Sequence, residues 1–496
     1  MSVNPANPPR PALRAADKET FAHITATHRW KDIIKKAIDN IRDSLNCSEV
    51  DKNEEGKKII ASMEELINQI QRKDQLIQIE DDGRPDIVSW NDALNTYFKG
   101  ENWFTTTWLF AECYLYRRII SIITNTKHWK NYDPYFRQKE DSFKVSFTTI
   151  FEFSKRIDEL ISLQKVKTND KLIFYELAKL SLWGNAIDLS IDLIFSDWLI
   201  QSGYVSKVYL HVKPIPWFVS DTTLEDFNWL LKTLKNNEFF SSISNIEKLS
   251  LEKLFNRWQS YITNSNWIIT SDFFWTSPYS FWHLEEKAPE LYNDLCKSHL
   301  IIFKGDLNYR KLVYDCKWES ITPFKDAIGP LGNSKNSPPL LSLRTGKSDV
   351  FVGLDEGVEK SLGSDKSWMY SGKFAVIQFS EGYHMVYLSF EKRARIFTLL
   401  NERYPTRYVA DHEKVSQSTV VRIKQCKKET GIFSNKPKPG CLRLLTGHYE
   451  QKVLWYIITG ECTNAVSVQK KLKTDEGIIV SKNTIKWTLR RNGLRA

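Results

Sequence analysis

The sequence predicts a multidomain protein with an N-terminal all-α domain, a central α/β domain and a C-terminal all-α tandem helix-turn-helix domain. Three observations support this. The 496 residues are too many for one hydrophobic core. The apolar pattern changes from helical spacing to short β-branched and aromatic runs near residue 166. Residues 383–496 contain 22 Lys and Arg against 9 Asp and Glu, whereas residues 1–382 contain 48 against 51.

The first 16 residues are rich in proline and polar groups, which predicts a disordered tail and neither a signal peptide nor an anchor. No apolar run approaches the ~20 residues of a membrane-spanning helix, so we expect no membrane partner. The seven cysteines are scattered and form no Cys-x-x-Cys pair, which indicates reduced thiols. We therefore expect a cytoplasmic protein, with the nucleus as the alternative location.

A helical domain is predicted over residues 17–165. Apolar residues recur at the spacing of a helix face in Ile33–Ile41 and again in Leu109–Ile123. Two polar segments, Asp51–Gly56 and Gln71–Asp86, interrupt the pattern and predict surface loops.

An α/β domain is predicted over residues 166–382. Val205–Val212 and His299–Phe303 have the composition of buried strands, and each precedes a polar loop and a helical stretch. This alternation predicts a mostly parallel sheet. Ligands bind beyond the carboxyl ends of such strands, so we expect a site in the loops Lys213–Thr223 and Lys304–Lys311.

Both loops carry charged groups suited to an anion or a cation. Asp221 precedes a helix, where a carboxylate either caps the helix or holds a cation. The second loop places Asp306, Asn308 and Arg310 after Gly305. Such groups suit an oxyanion held by basic donors, and a solvated turn is the alternative.

Six motifs occur in order along the body: Trp108–Arg118, Asp133–Lys139, Leu182–Ser190, Pro216–Asp221, Phe303–Leu312 and Arg344–Lys347. The last of these fits the pattern Arg-Thr-x-Lys. Together they resemble the metal-dependent damage-control phosphatases of the acidic-residue methyltransferase type, also called sugar phosphate phosphatases. The resemblance covers about residues 16–380.

This resemblance implies a Rossmann-like α/β domain after the helical one. It also implies hydrolysis of small phosphorylated metabolites, such as fructose 1-phosphate or fructose 6-phosphate, with a divalent Mn, Co or Ni ion. The family has also been credited with O-methylating protein carboxylates, for which S-adenosylmethionine would be the cofactor. A hard cation takes oxygen ligands, and a phosphoryl dianion needs cationic donors, so the physics agrees with the phosphatase assignment.

Carried over by position, Asp221 is a metal ligand and a catalytic residue, and Lys347 and Arg310 are the other catalytic residues. The substrate-binding residues implied by the resemblance are Asp306, Leu307, Asn308, Tyr309, Arg310, Arg344, Thr345, Lys347, Glu112 and Arg117.

The body departs from the family at one place. The family has a loop Asp-Asn-Ala-Gly-Phe-Glu-Leu whose first two residues complete the metal site, and no such segment occurs here. The simplest interpretation is an internal deletion near residues 190–191. In a second alignment Asn185 takes the place of the asparagine ligand, but a glycine replaces the aspartate. Either way one anionic ligand is missing, so we expect impaired catalysis.

The basic tail predicts two three-helix units, residues 383–434 and 446–496, joined by a basic linker over residues 435–445. In the first unit Val420 and Ile423 form the inner face of the third helix, with Val421 as a further candidate. The polar residues on the outer face are of the types that reach phosphates and base edges in a major groove.

The tail resembles the bipartite DNA-binding region of mariner-type transposases, on Arg393–Ile396, Val415–Val420, Lys428–Gly431, Ser481–Ile485 and Arg490–Ala496. The acidic triad of those enzymes is not in this sequence, so we expect duplex DNA binding without transposition. The residues expected to contact DNA are Ser416, Gln417, Ser418, Arg422, Lys436, Lys438, Arg443, Ser481, Lys482, Asn483, Lys486 and Arg490.

The leading hypothesis is therefore a metal-dependent phosphatase of impaired activity, fused to a DNA-binding domain. The alternative is a catalytically dead body that serves as a scaffold for a transposase-derived, sequence-specific DNA-binding function.

Overall fold

The structure, a computed structural model, describes residues 4–45, 50–145, 188–236, 239–240, 244–334, 337–363, 366–382, 390–413, 415, 417, 420–421, 423–424, 447–476, 478 and 480–491. The chain divides into two compact units, residues 1–385 and 386–496. That division lies within three residues of the boundary that the charge distribution predicts. Among the described residues, no helix combines the length and the hydrophobicity needed to cross a bilayer.

The N-terminal part of the body is helical. Its helices are α1 (Phe21–Ile24), a π-helical stretch (Thr25–Arg29), α2 (Trp30–Asp43), α3 (Val50–Arg72), α4 (Ile87–Tyr97), α5 (Trp108–Thr124) and a helical segment over residues 136–145. Fifteen of the seventeen residues of α5 are buried, so α5 is the central helix of this part. Two of those buried residues, Glu112 and Arg117, are charged and therefore need partners inside the protein.

The prediction of a loop over Asp51–Gly56 is wrong, because these residues form the first turns of α3. Gly56 is explained by packing. A Cβ atom there would lie 2.4 Å from Leu45 Cδ2 and 3.0 Å from the ring of Trp129. The glycine therefore permits a close approach and does not mark a turn.

The described part of the N-terminal tail, from residue 4 to residue 16, is packed and not disordered. Leu13 is 4% exposed and Ala15 is fully buried. The backbone N–H of Trp108 donates to Leu13 O at 2.7 Å, and that of Lys317 donates to Pro11 O at 2.8 Å. A proline-rich segment can pack in this way because its carbonyl groups still accept hydrogen bonds where its proline nitrogens cannot donate them.

The α/β part confirms a mixed α/β body. Its strands are β1 (Val208–Val212), β2 (Trp267–Ser271), β3 (Ile301–Lys304), β4 (Leu340–Thr345) and β5 (Ala375–Ser380). Its helices are α6 (Asp188–Gln201), α7 (Leu224–Leu234), α8 (Asn245–Thr263), α9 (Leu284–Lys287), α10 (Pro289–Leu295), α11 (Asp306–Leu312), α12 (Phe324–Ala327), α13 (Pro330–Asn333) and α14 (Val358–Ser361), with 3-10 turns at Phe273–Thr276, Phe281–His283 and Lys366–Met369.

The described strands form two sheets where one was predicted. β1 pairs with β2 in parallel; β3 pairs with β4 in parallel, and β4 pairs with β5 antiparallel. The expectation of a buried first strand is also wrong in part, because Tyr209 in β1 is 53% exposed.

Two large hydrophobic clusters and two small ones lie among the described residues of the body. The larger one joins Trp30 and Ile119 of the N-terminal helices to Phe303 and Leu340 of the strands, so these parts share a core. The second cluster lies around α6, α7 and α8 and includes Trp258.

The C-terminal unit is helical in its described part. Its helices are α15 (Phe390–Asn401), α16 (Thr406–His412), α17 (Gly447–Ile458), α18 (Ala465–Glu476) and α19 (Lys482–Arg491). Val420 and Ile423 belong to one small core, as predicted, whereas Val421 is 48% exposed. A second small core contains Ile485 and Leu489. The described helices lie within the two predicted three-helix units, and their assembly into helix-turn-helix units stays a prediction.

Candidate active site

Asp221 lies at the end of a tight turn between β1 and α7. Phe218 and Val219, both non-glycine residues, have φ values of 46° and 65°. The turn is fixed by fully buried Trp217, whose carbonyl accepts from Asp221 N at 3.1 Å, and by stacking of Phe218 on Tyr116 at 4.2 Å. Two consecutive left-handed residues are costly, and such strain concentrates at functional sites.

Asp221 does not cap the helix that follows it. Thr223 is the N-cap of α7, and it forms a capping box with Asp226. Asp226 is held in turn by Lys139, whose ammonium lies 2.6 Å from Asp226 and 2.9 Å from Asp133. Since another residue caps α7, the Asp221 carboxylate is left for the alternative that the sequence offered, an interaction with a cation.

That cation is the ammonium group of Lys213, a residue that the sequence analysis did not single out. Lys213 Nζ lies 3.5 Å from Asp221 Oδ2 and donates to Asn308 Oδ1 at 3.3 Å. Lys213 is 8% exposed. It therefore links the loop after β1 to α11. The prediction of a loop over Lys304–Lys311 is wrong, because Lys304 ends β3 and the residues from Asp306 onward are helical.

Asp306 is the first residue of α11, and it follows Gly305, whose φ of 95° suits glycine alone. Asp306 Oδ1 accepts from Arg344 Nε at 2.8 Å, from Lys347 N at 3.1 Å and from Ser348 Oγ at 3.1 Å. Burial raises the pKa of Asp306, but Arg344 and Arg310 outweigh it and hold the pKa below its ordinary value. The Asp306 carboxylate thus fixes the Arg-Thr-x-Lys segment through these three hydrogen bonds.

Arg344 is fully buried between two aromatic rings, 4.3 Å from Tyr309 and 4.2 Å from Phe351. Its Nη2 donates to Ser348 Oγ at 2.7 Å. Lys347 is half-buried, and across the described ranges its ammonium makes no hydrogen bond or ion pair. The arrangement fixes the loop and leaves one cationic group ready for a ligand.

Arg310 joins α11 to α5. Its guanidinium contacts Glu112 at 2.5 Å and Asp315 at 2.8 Å, and it stacks 3.8 Å above the ring of Trp108. Burial lowers the pKa of Arg310, but Asp315 and Glu112 outweigh it, so the pKa lies well above its ordinary value. The structure therefore brings two predicted substrate residues, Glu112 and Arg310, together as partners of each other.

Arg117, another predicted substrate residue, is placed elsewhere. Its fully buried guanidinium contacts Asp82 at 2.7 and 3.0 Å and Asp86 at 2.8 and 3.0 Å. These carboxylates lie in the segment that the sequence predicted as a surface loop, which Arg117 anchors to α5. The two carboxylates take up four of the five N–H donors of Arg117, and its role in substrate binding stays a prediction.

Lys311 is a second lysine that the sequence analysis missed. It is fully buried, and its ammonium donates to Ser277 O at 2.8 Å. Burial lowers the pKa of Lys311 to about 8, with Lys213 acting in the same direction and Cys113 and Asp221 opposing it. Lys213 and Lys311 are each next to an apolar residue in the sequence. A charged residue in such a context is the signal from which a buried lysine could have been predicted.

The remaining predicted substrate residues lie on α11 and at the end of β4. Leu307 is 7% exposed, and Asn308 Nδ2 donates to Lys304 O at 2.7 Å. Thr345 is half-buried and ends β4.

The described residues do not fit a divalent metal. Nowhere in the described part do three or more His, Cys, Asp or Glu side chains come together as a metal site. Asp221 supplies one carboxylate, and an ammonium group lies 3.5 Å from it. The second predicted ligand, Asn185, lies outside the described residues. A single carboxylate beside a fixed cation is a poor site for a hard divalent ion.

In the C-terminal unit, Ser481 Oγ accepts from Thr484 N at 3.0 Å and so caps α19, while Lys482 is exposed and Lys486 half-buried. Gln417 Nε2 donates to Thr406 Oγ1 at 3.0 Å. The other predicted DNA contacts fall outside the described residues or, for the last two, have undescribed side chains: Ser416, Ser418, Arg422, Lys436, Lys438, Arg443, Asn483 and Arg490.

Comparison with known families decides what the body is. The family described as damage-control phosphatase ARMT1-like domain matches residues 25–192 and 191–362, well over half of the chain. The chain belongs to this family. ARMT1-like phosphatases are metal-dependent in general.

Relatives in the ARMT1 family share about a third of their residues with this chain. The damage-control phosphatase ARMT1 of Xenopus tropicalis is 32% identical over 450 residues, covering 74% of this chain and 98% of that protein. The Homo sapiens protein is 31% identical over 76% of this chain and 99% of its own length. The Danio rerio protein is 30% identical over 75% of this chain and 97% of its own length.

Two features of these ARMT1-like matches describe how the chain aligns with the family. The family matches in two segments that meet at residues 191–192. Since 74% of this chain is about 367 residues, about 80 of the 450 aligned positions of the Xenopus tropicalis comparison face no residue here.

Proposed function

We propose that the body binds phosphorylated sugars, such as fructose 1-phosphate or fructose 6-phosphate, and hydrolyses them with impaired efficiency. The observation that carries this proposal is the geometry of Lys347. Asp306 fixes the backbone of its loop, while the ammonium group has no partner within the described residues. A cation held in place without a partner is suited to a phosphate dianion.

The surrounding groups support the same ligand. Lys213 and Lys311 interact with Asp221, and Arg310 lies on α11 between Glu112 and Asp315, so the site contains several basic groups. Arg310 is neutralised by its two partners and acts as a positioning residue. The lysines would bind and orient the phosphoryl group and stabilise the charge that develops on it.

The impairment follows from the missing ligands. The two-segment family match and the ~80 unmatched positions support a deletion next to Ser190, at the place where the Asp-Asn loop is expected. In the structure Ser190 and Ile191 are consecutive residues of the unbroken helix α6. A divalent ion would polarise the phosphoryl group and activate water. The described donors do not suit such an ion, so we expect little turnover.

Phosphate release measures this directly. The purified chain is assayed with fructose 1-phosphate and Mn²⁺, Co²⁺ or Ni²⁺, beside Asp221→Asn and the matched control Glu225→Gln, an exposed carboxylate four residues away. We expect slow release that Asp221→Asn abolishes and Glu225→Gln leaves unchanged. Release as fast as that of the Xenopus tropicalis protein would contradict the impairment, and no release with any metal would leave a body that only binds.

A gain-of-function variant tests the cause. The segment of the Xenopus tropicalis protein that has no counterpart here is inserted between Ser190 and Ile191. We expect metal-dependent release to rise at least a hundredfold, because the insertion would restore the missing anionic ligand. An inserted protein that folds, binds Mn²⁺ and still fails to release phosphate would show that another part of the site is defective.

The tail favours a second function, duplex DNA binding. Residues 386–496 form a compact unit of their own, and the 114 residues from 383 carry a net charge of +13. If the unit neutralises ~6 phosphates, the logarithm of the association constant should fall with log salt at a slope of about −5. The full chain is titrated with duplex DNA between 50 and 300 mM salt, roughly bracketing physiological strength. A slope near zero would exclude phosphate-driven binding.

A further inference from the structure

We infer that the ammonium group of Lys213 is the built-in cation of the active site, so that a phosphate monoester binds there without a divalent metal. The inference rests on the proposed phosphate-binding function and names the group that takes the place of the metal. Its basis is that Lys213 Nζ lies between two oxygen donors, 3.5 Å from Asp221 Oδ2 and 3.3 Å from Asn308 Oδ1.

The backbone holds Lys213 at this position. Its N–H donates to Thr222 O at 2.8 Å, and it forms a parallel bridge with Thr223 across the loop that presents Asp221. The side chain is 9% exposed. The ammonium group is therefore a fixed point charge, enclosed by the two loops, and not a surface lysine that happens to approach a carboxylate.

The two oxygens are the kind of donors that a hard cation prefers, a carboxylate and a carboxamide oxygen. A divalent ion bound to both would lie within ~4 Å of the ammonium group and be strongly repelled by it. Metal and ammonium therefore compete for one position. The described residues contain no cluster of acidic or histidine ligands that would favour the metal.

Neighbouring groups strengthen the case for an anion as the ligand. The buried ammonium of Lys311 interacts electrostatically with both Lys213 and Asp221, so a second positive charge lies close to the first. Lys347 contributes a third positive charge. Its backbone N–H donates to Asp306 of α11, the helix whose Asn308 accepts from Lys213. A phosphate dianion can pair with these charges without an added metal.

The test compares full-length protein with Lys213→Met and with Lys207→Met, an exposed lysine six residues earlier in the chain. Binding of fructose 6-phosphate is measured by calorimetry in EDTA, and binding of Mn²⁺ by electron paramagnetic resonance without sugar phosphate. We expect Lys213→Met to weaken sugar phosphate binding in EDTA at least tenfold and to tighten Mn²⁺ binding about tenfold, the scale on which one neighbouring charge shifts an equilibrium. Lys207→Met should change neither.

The affinities for sugar phosphate and for Mn²⁺ are expected to change in opposite directions in Lys213→Met. This distinguishes a role in binding from a structural role, since a damaged fold would weaken the binding of both ligands. Lys213→Arg keeps the charge and should retain most of the sugar phosphate binding in EDTA. Unchanged sugar phosphate affinity in Lys213→Met, or wild-type binding that requires Mn²⁺, would overturn the inference and leave the proposed function intact. Failure of the wild type to bind fructose 6-phosphate with or without Mn²⁺ would overturn both.

Discussion

Removal of the charge of Lys311 should stabilise the protein at neutral pH. The fully buried ammonium has its pKa lowered to about 8 by burial, against an ordinary value of 10.5. Below pH 8 the group is protonated in both folded and unfolded states, and the folded state carries the whole cost of burying the charge. A difference of 2.5 units at ~1.36 kcal/mol per unit corresponds to about 3 kcal/mol.

The perturbation is Lys311→Met, which keeps the length of the side chain. The variant also loses the hydrogen bond to Ser277 O, worth about 1 kcal/mol. We therefore expect a net gain in the free energy of unfolding of about 2 kcal/mol at pH 7. Between pH 8 and 10.5 the unfolded state binds more protons than the folded state, so the stability of the wild type rises with pH through this window and the gain disappears.

Urea unfolding, followed by tryptophan fluorescence at pH 7, 8, 9 and 10, measures this difference. Lys360→Met, at an exposed lysine, controls for the removal of a surface charge and for the ionisation of other groups at high pH. The diagnostic result is a variant-minus-wild-type difference that shrinks as pH rises from 8. An equal difference at pH 7 and pH 10 would refute the reasoning, because it would show that Lys311 does not titrate in this range.

Two further predictions concern stability. Arg117→Met should destabilise the body by about 3–5 kcal/mol, since it removes the ion-pair partner of the buried Asp82 and Asp86. Urea unfolding measures this loss, and Arg42→Met, at a side chain that is 55% exposed, should change the free energy of unfolding by less than about 1 kcal/mol. Gly305→Ala should lower the free energy of unfolding by about 1–3 kcal/mol. The cause would be the φ of 95° at the start of α11 and not a steric clash, because an added Cβ meets nothing within 4 Å. An unchanged urea midpoint would mean that the backbone relaxes at this position.

The convergence of the two site loops could be predicted from the sequence, although for a partly wrong reason. We expected the carboxyl ends of strands in one parallel sheet to bring Asp221 and Asp306–Arg310 together. The described strands form two sheets. The direct link between the two predicted site segments is the contact of Lys213 with Asn308 of α11. Strand order predicted which loops meet, but the pairing of strands depends on contacts between distant residues.

Roles that depend on distant partners could not be predicted from local pattern. Arg117 lies on α5 in a motif shared with the family, but its partners Asp82 and Asp86 precede it by 35 and 31 residues, in a segment whose composition is that of a surface loop. Gly56 was misinterpreted for a similar reason, because the side chains that need its small size, Leu45 and Trp129, belong to other parts of the chain.

Under the proposed function, the site would keep its positive groups and lack part of its metal ligands, so that binding and catalysis would separate in one protein. Lys213, Lys311 and Lys347 lie on segments that the matched family motifs cover, on either side of residues 191–192. An anion-binding site needs only these cations, whereas metal-assisted hydrolysis also needs a set of carboxylate and amide ligands, of which the described residues supply one carboxylate, Asp221, and one carboxamide, Asn308. Without the metal, the charge of Asp221 would repel a phosphate unless another cation neutralised it. The ammonium of Lys213 lies 3.5 Å from Asp221, so the proposed loss of metal ligands is compatible with the proposed binding of a phosphate.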